Sequence, residues 1–233
     1  MPRALSLLAS VLGAAALAGC AGLTGEPNPS APPGPARGQT TNPSPRAEGW
    51  KPLFDGKSLK GWKRTDFAGG GDIEVKDGQL FIRSGQMLCG VNWTNDIPKT
   101  NYEITLEAMK LEGGDFFCGL TLPFKDSHFT FILGGWGGGV VGISSIDGMD
   151  ASENDTTKIM AFEKGRWYRI RVRVTPAKIQ AWVDDENFVD QPIDDRRISM
   201  RPGEIELSEP LGLATYQTTS VARNIRIRNI EAR

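Results

Sequence analysis

Histidine is nearly absent from this 233-residue chain, which has only His128. Zinc sites draw several His or Cys ligands at set spacings, and no Cys-x-x-Cys pair occurs, so a histidine-based metal centre is not expected. Charge is balanced: 27 Lys and Arg against 28 Asp and Glu leave a net −1. That balance makes no electrostatic case for nucleic acid, and no stretch of sequence is basic enough to suggest anionic lipid. There is no Gly-x-Ser-x-Gly elbow for a serine hydrolase. The glycine runs are not followed by the Lys-Ser/Thr of a phosphate loop. Beyond the first twenty residues no run of a dozen holds a 3.6-residue period, so helices are not expected.

What is present begins with the amino terminus. Arg3 precedes an apolar run from Leu5 to Leu17, shorter than the ~20 residues a spanning helix needs, and the run closes on Leu17-Ala18-Gly19-Cys20. This order resembles the lipobox of bacterial lipoproteins. The resemblance implies a signal peptide over residues 1–19, cleavage before Cys20, lipidation of Cys20, and a cell-envelope location anchored to a membrane. Residues 20–49 carry seven prolines and no aromatic side chain, a composition that cannot bury enough apolar surface to fold. They read as a tether reaching roughly 30 Å if flexible. Cys89 and Cys118 remain, each in an apolar setting, as a disulfide or as two buried thiols.

Residues 50–233 form one domain-sized unit punctuated by Gly and Pro. Tyr102 to Ala108 alternates apolar and polar residues with period two. So do Tyr168 to Val174, Lys178 to Asp184 and Asn224 to Ile230. The second and third of these runs flank Thr175-Pro176-Ala177 as a hairpin. Strands with one dry and one wet face belong to antiparallel sheets, so the pattern predicts an all-β fold of two packed antiparallel sheets, a sandwich or jelly roll. Glu103 and Glu107 are expected to face Arg169, Arg171 or Arg173 across a strand pair, each contact worth about 0.2–1 kcal/mol.

Three features could carry chemistry. Trp136 stands among Gly134, Gly135, Gly137, Gly138 and Gly139, so it is either presented for stacking on a sugar ring or folded back onto the core. Trp93 is a second candidate for sugar contact. The acidic loop holds Asp147, Asp150, Glu153 and Asp155. It reads as a calcium or other divalent-cation loop, as an acid/base pair for sugar chemistry, or as a solvated loop with local turns. His128 opens a strand beside Asp126 and would serve as a general base only if it projects into a cleft. The expected ligand is carbohydrate; neither substrate nor oligomeric state is readable.

The opening Trp50-Lys51-Pro52-Leu53-Phe54-Asp55-Gly56-Lys57-Ser58-Leu59-Lys60-Gly61-Trp62 resembles the signature of the 3-keto-disaccharide hydrolase domain family. Ile73 to Leu80, Tyr102 to Glu107, Arg166 to Ile170, Ala181 to Asp185, Gly212 to Ala214 and Ile225 to Arg228 continue in that family's order. The resemblance implies a concanavalin A-like, laminin-G-like jelly roll and cleavage of 3-keto-glycosides. The family pattern has a Gly-Asn-Ser-Gly-Ile stretch, followed by a strand with Glu, Gln and Asp facing the cleft. Here Gly113-Gly114-Asp115-Phe116-Phe117-Cys118-Gly119-Leu120 stands in its place, without that polar triplet. Two alternatives stay open beside the enzyme: a non-catalytic carbohydrate-binding jelly roll and a structural surface protein.

Overall fold

The structure is a computed structural model that describes residues 49–231. The signal sequence, Cys20 and nearly all of the tether lie outside the described residues. In chain order the strands are β1 (Lys51–Pro52), β2 (Trp62–Arg64), β3 (Ile73–Lys76), β4 (Gln79–Ile82), β5 (Leu88–Trp93), β6 (Tyr102–Gly113) and β7 (Cys118–Phe124). They continue with β8 (Ser127–Gly134), β9 (Val140–Ser144), β10 (Lys158–Ile159), β11 (Trp167–Val174), β12 (Lys178–Val183), β13 (Glu186–Pro192), β14 (Gly212–Tyr216) and β15 (Thr218–Asn229). One sheet runs β13-β12-β11-β6-β15-β4-β3, with β1 on the far part of β15. The other runs β10-β9-β8-β7-β14-β5-β2. Every strand pair is antiparallel, and the two sheets form the expected jelly-roll sandwich.

Alternation builds the core. Tyr102, Ile104, Leu106 and Ala108 of β6 are buried, as are Tyr168, Ile170, Val172 and Val174 of β11. They meet Leu120, Leu122, Phe129, Phe131 and Leu133 from the opposite sheet in one apolar cluster. Tyr102 donates its hydroxyl to the Pro123 carbonyl at 2.7 Å, tying the sheets together and satisfying a fully buried phenol. The opening motif acts locally. Asp55 accepts the Lys57 and Ser58 amides at 2.8 Å each, and Trp62 Nε1 donates to the Leu53 carbonyl at 2.8 Å. Cys89 and Cys118 are buried free thiols; burial pushes both thiols up.

On the outer face of the first sheet the charge ladder has the expected register, Glu107 opposite Arg169 and Glu103 opposite Arg173. The pairing is richer than sequence predicts. Glu103 receives Arg173 Nε at 2.8 Å and Arg171 Nη1 at 3.3 Å, and from the other side Arg228 of β15.

Candidate active site

The outer face of the second sheet begins from a row of small residues. Gly142, Ile132, Gly119, Ala214 and Gly90 lie side by side across β9, β8, β7, β14 and β5. Apart from Ile132, this row carries no side chain larger than the Ala214 methyl, and apolar loop residues settle into the trough it leaves. A Cβ on Gly119 would stand 2.9 Å from the Phe116 ring, so only glycine allows that approach. Phe67, Leu88, Phe116, Ile132, Val140, Ala151 and Ala214 form a second apolar cluster here, with Ile205 and Tyr216 against it. The loops fill part of the face and leave a cavity of about 360 Å³, with Met87, Phe116, Ile132 and Tyr216 among its lining.

Trp136 stands at this cavity, 41% exposed, so it is presented and not folded into the core. Its backbone is left-handed (φ 48°, ψ 56°), and Gly137 (φ 87°) and Gly138 (φ 106°) follow in the same region. For a tryptophan that conformation costs roughly 1–2 kcal/mol. Asp115 holds the turn in place. Its Oδ2 accepts the Gly137 amide at 2.9 Å while Oδ1 accepts the Phe116 amide at 2.8 Å. Thr218 of β15 brackets Asp115 in turn, accepting its amide at 3.2 Å and donating to its carbonyl at 3.0 Å.

Ser144 and Arg201 also line the cavity, and Asp150, outside the lining, contacts both. Asp150 Oδ1 accepts Ser144 Oγ at 2.9 Å and Ser145 Oγ at 3.2 Å, while Arg201 Nη1 lies 3.4 Å from Oδ2. The Arg201 guanidinium is 5.8 Å from the Trp136 ring centroid. A cation, a serine hydroxyl and an aromatic platform therefore line one cavity, and the Asp150 carboxylate reaches it only through its bonds to Ser144 and Arg201.

The other sequence candidates lie elsewhere. Asp147 and Asp155 both pair with Arg196, at 2.5 Å and 2.9 Å, which clips the acidic loop to the 196–197 segment. The Arg197 amide, donating to Asp147 at 2.7 Å, lowers that carboxyl's pKa, with Arg196 adding to the effect. Glu153 is exposed, with no side-chain partner among the described residues. His128 is two residues from Thr130 along β8, outside the cavity lining, with Nδ1 3.2 Å from Glu209 Oε2. Trp93 packs edge-on against Trp62 at 5.3 Å, on the opening-motif side of β5. Among the described residues no three His, Cys, Asp or Glu side chains gather into a ligand group.

Two residues of the arrangement escaped sequence reasoning as candidates. Arg201 lies in an irregular segment with no pattern to mark it. Asn154 organises the acidic loop: Nδ2 donates to the carbonyls of Ile143, Met149 and Asp150 at 2.7, 3.0 and 2.8 Å. Its Oδ1 accepts the amide and hydroxyl of Thr156 at 3.0 and 2.6 Å.

Residues 49–231 match the family model of the 3-keto-alpha-glucoside-1,2-lyase-like domain. The chain belongs to this family. Its fold is similar to that of a candidate glycosyl hydrolase from Parabacteroides distasonis (13% identity, TM-score 0.51, covering 79% of this chain and 95% of that one). It also resembles the carbohydrate-binding module CBM66 of Bacillus subtilis (11% identity, TM-score 0.50, 72% and 96%) and a Crh5 transglycosylase (10% identity, TM-score 0.52, 78% and 84%). At these identities the likeness establishes the fold alone. No curated protein matches the sequence.

Proposed function

We propose that this family member is an exported, lipid-anchored protein of the bacterial cell envelope that takes a 3-keto-glycoside into the Trp136 cavity and cleaves it. The convergence of Trp136, Arg201 and Ser144 on one cavity, with Asp150 bonded to the latter two, carries this reading. Trp136 offers an indole face to the apolar face of a sugar ring. A keto group at C3 acidifies the hydrogen at C2. Asp150, positioned by two serine hydroxyls, would accept that proton, and Arg201 would steady the negative charge gathering on the C3 oxygen. The electron pair from the C2–H bond then forms the C1–C2 double bond as the C1–O bond breaks, and the departing oxygen takes back the proton that Asp150 had accepted. Water added afterwards completes hydrolysis. No step is routed through a metal.

One observation favours a second reading, a carbohydrate-binding jelly roll without catalysis. Both oxygens of Asp150 are already engaged, by the two serines and by Arg201, as a purely structural carboxylate would be. Incubating the purified protein with a 3-keto-disaccharide, with and without added divalent metal, separates the two readings. The enzyme reading expects sugar release that falls about 10²–10⁴-fold in Asp150→Asn. Binding that is lost in Trp136→Ala but occurs without any release selects the second reading. Neither binding nor release sinks both.

A further inference from the structure

No stretch of the sequence is basic, yet the sheet register assembles a basic face. The outer face of the first sheet lies opposite the Trp136 cavity. On it three guanidiniums, from Arg171, Arg173 and Arg228, surround the single carboxylate of Glu103, which leaves two positive charges in excess. Arg226, opposite Thr105 on the same face, is exposed and has no carboxylate partner among the described residues. The Glu103 side chain is wholly buried, but the three arginines keep 38%, 37% and 31% of their surface in solvent. Tryptophans support them from the side: Arg171 lies 3.8 Å from the Trp182 ring centroid, Arg228 4.7 Å from Trp50, and Arg223 3.9 Å from Trp167. Stacked guanidiniums are pre-organised and present their remaining N–H edges outward. Half-buried indoles beside them are suited to the polar boundary of a bilayer.

The chain also enters the domain on this face. Trp50 is the residue stacked on Arg228, and it follows directly on the segment that leads back to Cys20. We propose that the outer face of the first sheet docks on an anionic phospholipid surface, holding the domain with its Trp136 cavity turned away from the membrane. The proposal rests on the lipid-anchored reading for how the domain reaches the bilayer, but the attraction itself needs only this face. Because the whole protein carries a net charge of −1, the attraction is local and fades within about 8–10 Å at physiological salt.

The test uses the full chain carrying Cys20→Ser, which cannot be lipidated there, and vesicles of phosphatidylcholine with or without 30 mol% phosphatidylglycerol (about 30%, a composition chosen for charge). Co-sedimentation is expected to be much stronger with the anionic vesicles and to weaken as salt is raised. Arg169→Gln/Lys178→Gln/Arg226→Gln removes three cations of this face, Arg169 and Lys178 being paired at its rim with Asp185 and Asp190, without touching a bond to Glu103. At about fivefold per charge near an anionic surface, the triple variant should partition on the order of 100-fold more weakly. Lys57→Gln/Lys63→Gln/Lys125→Gln removes the same net charge elsewhere and should change partitioning only slightly. Equal binding to both vesicle types, or equal losses in the two triple variants, would overturn the proposal. Intact mass measurement of the membrane-fraction protein with native Cys20 tests the anchor separately, so failure of the anchor and failure of the face are distinguishable.

Discussion

Replacing Glu103 by Gln isolates the buried charge at the centre of the ladder. The glutamine keeps the shape of the side chain and can accept at only one oxygen, while three guanidiniums lose their counter-charge. In the native domain Arg173 Nε and Arg228 Nε donate to opposite oxygens at 2.8 and 2.6 Å, and Arg171 adds a bond at 3.3 Å. Removing one partner from a buried ion pair costs about 3–5 kcal/mol. The arginines stay roughly one-third exposed and can turn toward water, which places the expected loss near the lower end, about 3 kcal/mol. In a domain of this size that is a fall of about 6–12 °C in Tm.

Urea melts of the wild type and Glu103→Gln at pH 7 would read the loss directly, with the slope m unchanged. Burial alone would raise the Glu103 pKa, but hydrogen bonds from Arg228 and Arg173, with their charges, bring it below the ordinary 4.5. A folded-state pKa lowered in this way gives stability that is complete above the unfolded value and is lost as pH falls through the folded one. The gap between wild type and variant should therefore hold from pH 7 to about 5 and close at lower pH. Glu107→Gln, at a carboxylate 24% exposed and paired with Arg223, should cost only about 1 kcal/mol. A Glu103→Gln melt within 1 kcal/mol of wild type (about the cost of a surface pair), or a gap that widens on acidification, would refute the reasoning.

Asn154→Ala removes all five of the Asn154 side-chain hydrogen bonds and should lower stability by about 2–4 kcal/mol, seen as an earlier thermal melt and faster proteolysis within residues 145–157. Asp115→Ala frees the Gly137 amide and leaves the left-handed Trp136 without its anchor. Hydrogen exchange at Gly137 should quicken at least tenfold (about 1.4 kcal/mol of lost protection), with a much smaller change in amides of β6 and β11. In the Cys20→Ser protein under non-reducing conditions, Cys89 and Cys118 should resist a thiol reagent while folded and both react in denaturant; no reactive thiol after denaturation would mean that a disulfide joins them.

Much of the fold was legible because alternation is a local signal. Tyr102 to Ala108, Tyr168 to Val174 and Lys178 to Val183 each show which face is dry, and the structure keeps those faces. The same locality explains why Arg169, Arg171 and Arg173 could be set against Glu103 and Glu107 in advance. Arg228 could not be foreseen in that cluster, because it arrives from β15, 125 residues away along the chain. The cavity shows the same division. Trp136 announced itself through its glycine neighbours. Arg201 did not, since an irregular segment has no period to mark it.

The acidic loop shows the limit most clearly. Its composition offered four equivalent carboxylates, and nothing in the order Asp147, Asp150, Glu153, Asp155 separates them. Tertiary contacts do: Arg196 takes Asp147 and Asp155 into a clip, solvent keeps Glu153, and Asp150 alone reaches Arg201 and the serines beside the cavity. By itself the sequence determined strand identity, the dry and wet faces and the family, because hydrophobic periodicity and short motifs act within a few residues. Only the tertiary structure decided which charges share a neighbour, because antiparallel register brings together side chains more than a hundred positions apart in the chain.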